Sequence, residues 1–139
     1  MPEKPAPVRT VTKSVTIDRP ADEIYAFLAD LNNWPKWAII NVLSAEPGDE
    51  SGWWKITIAG EGQGEIRLHA HAATRVLDHD YRDSDFSATV PARVVPNGRG
   101  ADFMMTFAQP EGLEDDAFDE LLTQFELEFE TLKKILEKQ

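Results

Sequence analysis

The sequence predicts an α+β fold: a curved antiparallel sheet of about seven strands wrapped around a long C-terminal helix, with two short helices after strand 1. Two observations carry this. Phe118, Leu121, Leu122, Phe125, Phe129, Leu132 and Leu136 recur at helical spacing and form one apolar stripe. Such a helix is marginal alone and must bury its stripe against another layer. Upstream, residues 53–108 alternate apolar and polar side chains between turn sequences, as half-buried antiparallel strands do.

The elements follow in order. Residues 1–8 are charged and proline-rich and read as a flexible tail before a single domain over residues 9–139. Residues 9–17, with Val11 and Val15 among polar neighbours, read as a strand that Asp18-Arg19-Pro20 ends. Pro20 suits a first helical position, and Asp22 and Glu23 suit the positive end of a helix. Ile24, Phe27, Leu28 and Leu31 continue at helical spacing until Asn32-Asn33 and Pro35 interrupt them. A second short helical turn is expected around residues 35–37. Strands are then expected over residues 39–45, 53–59, 65–72, 75–82, 86–95 and 100–108. Asn97-Gly98 is a strong hairpin signal. Acids from Glu114 to Glu120 and lysines Lys133, Lys134 and Lys138 complement the two ends of the last helix.

Turn positions set a register. With Asn97-Gly98 as the central pair, Val94 faces Ala101, Ala92 faces Phe103 and Val90 faces Met105. With Asp83-Ser84 as the preceding turn, Tyr81 faces Phe86 and His79 faces Ala88. One face then collects Leu77, His79, Tyr81, Phe86, Ala88, Val90, Phe103, Met105 and Phe107. The other collects Asp78, Asp80, Arg82, Thr89, Arg93 and Asp102, with Met104 as an apolar exception. Trp54, Ile56, Ile58, Ile66, Leu68 and Ala70 sort to the apolar side, and Arg67, His69 and His71 to the wet side.

Composition bounds the function. There is no cysteine among 139 residues, which excludes disulfides, thiolate metal sites and cysteine nucleophiles. Net charge is −11, and residues 109–139 hold ten acidic and three basic side chains. That balance repels nucleic acid and anionic lipid, so no nucleic-acid partner is expected and the acidity reads as solubility. No secretory signal or spanning apolar stretch is visible; the expected location is cytoplasmic, without membrane insertion. Residues 60–64 (GEGQG) lack the Lys-Ser/Thr of a phosphate loop and precede a strand, so they read as a turn and no cofactor is expected. His69 and His71 are spaced as a pair of metal ligands, with Asp78 or Asp80 as a third. They lie on the wet face and too few ligands converge, so no metal is expected. Asp78, Asp80, Asp83 and Asp85 read as solvated acids; Glu128 could approach the inner region beside Phe125 but reads first as part of an exposed helix face.

The stretch VTKSVTIDRPADEIYAFLADLNNWPKWA, then TRVLDHDYRD, ARVVPNGRGADFMMTF and the terminal helix, resemble the helix-grip fold of the START-like superfamily, also called SRPBCC. The nearest branch is the polyketide cyclase/dehydrase-like one. The resemblance covers nearly the whole chain, but that family shares no catalytic signature. It implies a hydrophobic cavity between sheet and long helix, with the short helices near its mouth. It also implies a small hydrophobic ligand, aromatic, polyketide-like or lipid-like. Two alternatives stand beside it. One is a cyclase, aromatase or dehydratase-like enzyme acting on such a molecule. The other is a co-chaperone-like interaction module whose protein partner would meet the acidic helix, or an exposed Trp53 and Met104.

On this reading Trp34, at the helix break, lies near the cavity mouth, whereas Trp37 reads first as a packed corner. Trp54, Ile56, Leu68, Phe86, Ala88, Phe103 and Met105 from the sheet, and Leu122 and Phe125 from the helix, are the candidate apolar contacts. His79 and Tyr81 are the polar members of the inner face. They are candidates both to orient a carbonyl or hydroxyl and to act as acid and base. Equally, each could be structural: the histidine bonded to a main-chain carbonyl, the tyrosine hydroxyl reaching the rim. A void of roughly 300 Å³ would cost about 7 kcal/mol if left empty, so it should be filled by ligand, water or large side chains.

Overall fold

A computed structural model of the chain describes residues 5–58 and 62–138. Residues 5–8 are exposed and without regular structure, while residues 1–4 of the expected tail and Ala59, Gly60 and Glu61 lie outside the described residues. Strand β1 (Thr10–Ile17) leads into helix α1 (Ala21–Leu28), a 3-10 turn (Leu31–Asn33) and the one-turn helix α2 (Trp34–Trp37). Strands β2 (Ser44–Pro47), β3 (Trp53–Thr57), β4 (Gln63–His71), β5 (Val76–Arg82), β6 (Ser87–Val90), β7 (Ala92–Asn97) and β8 (Gly100–Ala108) follow, and α3 (Asp115–Glu137) closes the chain. The strands form one curved antiparallel sheet in the order β1-β8-β7-β5-β4-β3-β2, with β6 paired to β5.

The sheet has eight strands where about seven were expected, because Pro91 divides residues 86–95 into two. Proline cannot donate to a ladder, so the strand breaks there. Asp78, expected to be solvated, accepts the amide of Ala92 at 2.8 Å and so satisfies the first donor beyond the break. Two further expectations fail locally. Residues 39–43 are not strand; the amides of Ile40 and Asn41 go to a side chain described below, and although Leu43 donates to the Thr57 carbonyl, β2 begins only at Ser44. Part of the glycine run is strand, since Gln63 and Gly64 open β4.

Both hairpins turn one residue later than expected. Asn97 pairs with Gly100, so Gly98-Arg99 is the central pair, and Gly98 supplies the positive φ of 59°. At the preceding hairpin, Asp83 Oδ1 accepts the amides of Asp85 and Phe86, which starts the turn at Asp83 itself. Each one-residue move of a turn shifts the pairing by two: Val94 faces Phe103, Ala92 faces Met105, Tyr81 faces Ala88 and His79 faces Val90. Side chains alternate with period two, so an even slip leaves every residue on its expected face.

The core lies between that face and the stripe of α3. Ile17, Leu28, Leu77, Val94, Phe103, Phe118 and Leu132 are all essentially inaccessible. Polar contacts from β1 set how α3 lies. Arg9 meets Asp119 at 2.6 Å, Lys13 meets Glu126, and Lys133 donates to the main-chain oxygen of Thr16 at 2.7 Å. Glu137 accepts the amide of Asp18 at 2.8 Å. Exposed pairs of this kind contribute at most about 1 kcal/mol each, so they orient the helix more than they hold it. The acidity of α3 is thus partly structural as well as solubilising.

At the start of β8 the backbones run too close for a side chain. A Cβ on Gly100 would lie 2.4 Å from the Ile17 carbonyl oxygen. Gly100→Ala should therefore cost about 1–3 kcal/mol in urea denaturation. An unchanged midpoint would contradict this packing of β8 on the chain after β1.

Candidate functional site

The interrupted helix is the first wall of the site. Asp30 accepts the amide of Asn32 and caps the 3-10 turn. Asn33 Nδ2 then donates to the Phe27 carbonyl at 3.0 Å, and Trp34 Nε1 to the Leu28 carbonyl at 2.8 Å. These are orphan carbonyls at the end of α1. The Asn-Asn-Trp-Pro break is therefore held by its own side chains. Trp34 is buried against Trp37 (5.3 Å between ring centroids) and meets the His79 ring edge-on at 5.0 Å. Trp37 packs against Phe103 and Phe129, as a corner residue would.

Beneath this wall lies a cavity of about 310 Å³ between sheet and α3. Trp34, Trp37, Val42, Ile56, Ile58 and Ile66 line one side. Ala88, Val90, Met105 and Phe107 from the sheet and Phe118, Leu121 and Phe125 from α3 line the rest. Phe107 and Phe125 stack at 4.1 Å, and Phe86, at 41% exposure, stands at the edge. Of the candidate contacts, Trp34, Ile56, His79, Tyr81, Phe86, Ala88, Met105 and Phe125 reach the lining. Trp54, Leu68, Phe103 and Leu122 do not. Phe103 and Leu122 are core residues, and Trp54 and Leu68 are half-buried residues packed on its edge. Inner-face parity could not separate residues that fill the core from those that border the hollow.

Besides the indoles, Asn41, His79, Tyr81, Thr89 and Glu128 are the polar side chains among the lining residues. His79 is 4% exposed, and its Nδ1 donates to the Leu77 carbonyl at 3.1 Å. Burial pushes its pKa down, against the opposing pull of that carbonyl, so the ring is held neutral with Nε2 as a lone pair. Tyr81 donates its hydroxyl to Asp83 Oδ2 at 2.6 Å, at the β5–β6 turn. Burial, and then Asp83, push its pKa up, so the phenol keeps its proton. The bare backbone at Gly64 makes room for this ring, since a Cβ there would sit 2.9 Å from it.

Glu128 overturns its expected exposure: it is 1% exposed and lines the cavity. Oε2 accepts the amides of Ile40 and Asn41 at 2.9 and 2.8 Å, and Oε1 accepts Asn41 Nδ2 at 3.1 Å. Its carboxylate thus takes two of the amides that a strand over residues 39–43 would have used, those of Ile40 and Asn41. Burial raises its pKa although these donors oppose the shift. The sequence signal for it was an acid one helical turn from Phe125 and next to Phe129 on the buried stripe.

The outer face holds the remaining candidates. Asp80 is not simply solvated. It accepts from Arg67 at 2.8 Å, His69 Nε2 at 2.7 Å and Thr89 at 2.8 Å, and these donors, His69 first, hold its carboxyl well below the usual range. His71 bonds to Thr74 instead. No group of three or more metal-ligating side chains converges among the described residues. Trp53, expected to be exposed, is covered by the guanidinium groups of Arg67 and Arg82, 4.6 and 3.7 Å from its ring. Met104 is half-buried between Ser14 and Arg93. Neither therefore offers the exposed contact surface expected of an interaction module.

A family model described as polyketide cyclase / dehydrase and lipid transport matches residues 8–137. The chain belongs to this family. Solved structures agree on the fold at low identity. An uncharacterized protein from Bacillus thuringiensis superposes with a TM-score of 0.76 at 12% identity, covering 91% of this chain and 98% of that one. The aromatase/cyclase Zhui from a Streptomyces species gives 0.71 at 16%, covering 94% of each. The di-domain ARO/CYC protein BexL gives 0.73 at 21%, covering 93% of this chain and 46% of that one. Among curated proteins, none matches by sequence. Among the described residues, no helix is long and apolar enough to cross a membrane.

The buried titratable groups of this family member predict opposed pH effects. His79 has a folded pKa below its ordinary value of 6.5. Its contribution to stability is fully present above that value and is lost as pH falls through the folded pKa. Glu128 has a folded pKa above 4.5, so its contribution is present below that value and is lost as pH rises through the folded pKa. Acidification from about pH 7 to about pH 5 should thus destabilise the wild type more than His79→Gln in urea titrations. Equal losses would contradict a buried neutral imidazole.

Proposed function

We propose that the chain binds a small hydrophobic molecule, aromatic, polyketide-like or lipid-like, in the cavity between sheet and α3. The observation that carries this is an apolar hollow of about 310 Å³ under two tryptophans. A dry void of that size would cost about 7 kcal/mol, comparable with the whole stability of about 5–15 kcal/mol of an ordinary domain. Burial at about 25 cal/mol per Å² would supply most of the affinity. The family description, which pairs cyclase chemistry with lipid transport, supports a ligand of this type. The reading takes residues 9–139 as one cytoplasmic domain with no nucleic-acid partner.

Titration with the neutral apolar probe N-phenylnaphthylamine, followed by tryptophan fluorescence, tests the proposal. Saturable quenching with one equivalent bound is expected, because Trp34 and Trp37 line the cavity. No quenching would refute the reading. A catalytic role is the second reading, favoured by the neutral His79 facing the cavity with Nε2 unspent. It requires turnover of a bound substrate to fall in His79→Ala while Tyr81→Phe, whose hydroxyl is committed to Asp83, changes it little.

A further inference from the structure

Most of the polar side-chain atoms that the cavity leaves unspent are hydrogen-bond acceptors. A carboxylate offers about four acceptor positions, and Glu128 has three filled, leaving one on Oε1. Asn41 points Nδ2 at that carboxylate, which fixes the amide orientation and leaves its Oδ1 without a partner among the described residues. His79 has its Nδ1–H committed to Leu77, so Nε2 accepts. Most side-chain donors are spent. Trp34 Nε1 is used by Leu28 and the Tyr81 hydroxyl by Asp83, one N–H of Asn41 Nδ2 goes to Glu128 while the other has no partner among the described residues, and Trp37 Nε1 is buried without a partner among the described residues. No lysine or arginine is among the lining residues, and Glu128 forms no ion pair among the described residues.

We infer that the occupant of the cavity is an apolar molecule whose polar end donates hydrogen bonds, a protonated amine above all, and not one whose polar end is a carbonyl or carboxylate. This rests on the cavity-binding reading and names its ligand class. An ammonium would fill the vacant position on Glu128 and balance a buried charge that has no cation of its own, while the aromatic walls take the hydrocarbon. A ketone would bring another acceptor against the vacant position on Glu128 and against His79 Nε2, leaving both of these unpaired. A carboxylate would add like charge to a desolvated site.

Calorimetric titration of the wild type at neutral pH with four probes sharing one ring system, naphthylmethylamine, naphthylmethanol, acetonaphthone and naphthoate, tests this. The amine should bind tightest, the alcohol next, and both about tenfold or more above the ketone and naphthoate. In Glu128→Gln, the amine should lose its advantage over the alcohol. Ketone or naphthoate binding as tightly as the amine overturns the inference and leaves the cavity reading standing. Failure of all four to bind overturns both. Should Glu128→Gln not fold, the wild-type ranking decides alone.

Discussion

Replacing Ala88 by tryptophan should weaken N-phenylnaphthylamine binding by about tenfold or more. Ala88 faces Tyr81 across β5 and β6 and lines the cavity beside Val90. Its methyl group is one of the small side chains that keep the hollow open. An indole there would occupy much of the roughly 310 Å³ available, and the probe would have to displace it. The same change should leave stability within about 1 kcal/mol of the wild type, since the ring enters space and does not push atoms aside. Unfolding titrations of the ligand-free variant provide that control. A variant that unfolds while filling nothing would show that the space beside Ala88 is not there.

Phe103→Ala should have the largest effect on stability, about 3–5 kcal/mol by urea denaturation. Phe103 is 1% exposed and lies between two other large rings, 6.0 Å from Trp37 and 5.2 Å from Phe129. It stands on β8, a strand paired on both sides, so the backbone cannot close over the hole. Typical domains hold about 5–15 kcal/mol in total, so this variant would approach the threshold of folding. Leu127→Ala, on the outer side of α3 at 54% exposure, should change stability by less than about 0.5 kcal/mol. A loss at Phe103 below about 2 kcal/mol would mean that the three rings are not the packed centre of the fold.

Much of this architecture was legible in the residues. The α3 stripe and the two-face sorting of β5 to β8 depend on periodicity, which survives errors in turn placement. That is why both hairpins could be misplaced by one residue and still put His79, Tyr81 and Ala88 on the inner face. The errors share a cause as well. Whether a turn begins at Asp83 or at Arg82 depends on which amides the Asp83 carboxylate reaches. Whether residues 39–43 form a strand depended on Glu128, distant in sequence, taking two of their amides. Alternation cannot report such contacts. Nor could it say that Trp53 lies under two arginines, or that Phe103 fills the core while Phe107 borders the cavity. Those depend on sheet curvature and on where Pro91 sends the chain.

The central claim is that one small apolar molecule enters the space between the sheet and α3. Native mass spectrometry of wild type and Ala88→Trp, each at the N-phenylnaphthylamine concentration that half-fills the wild type, tests it most directly. The account predicts a single probe molecule on the wild type and far lower occupancy of the variant. Equal occupancy of both proteins would place the probe elsewhere, and a wild type that retains no probe would leave the cavity without the role assigned to it.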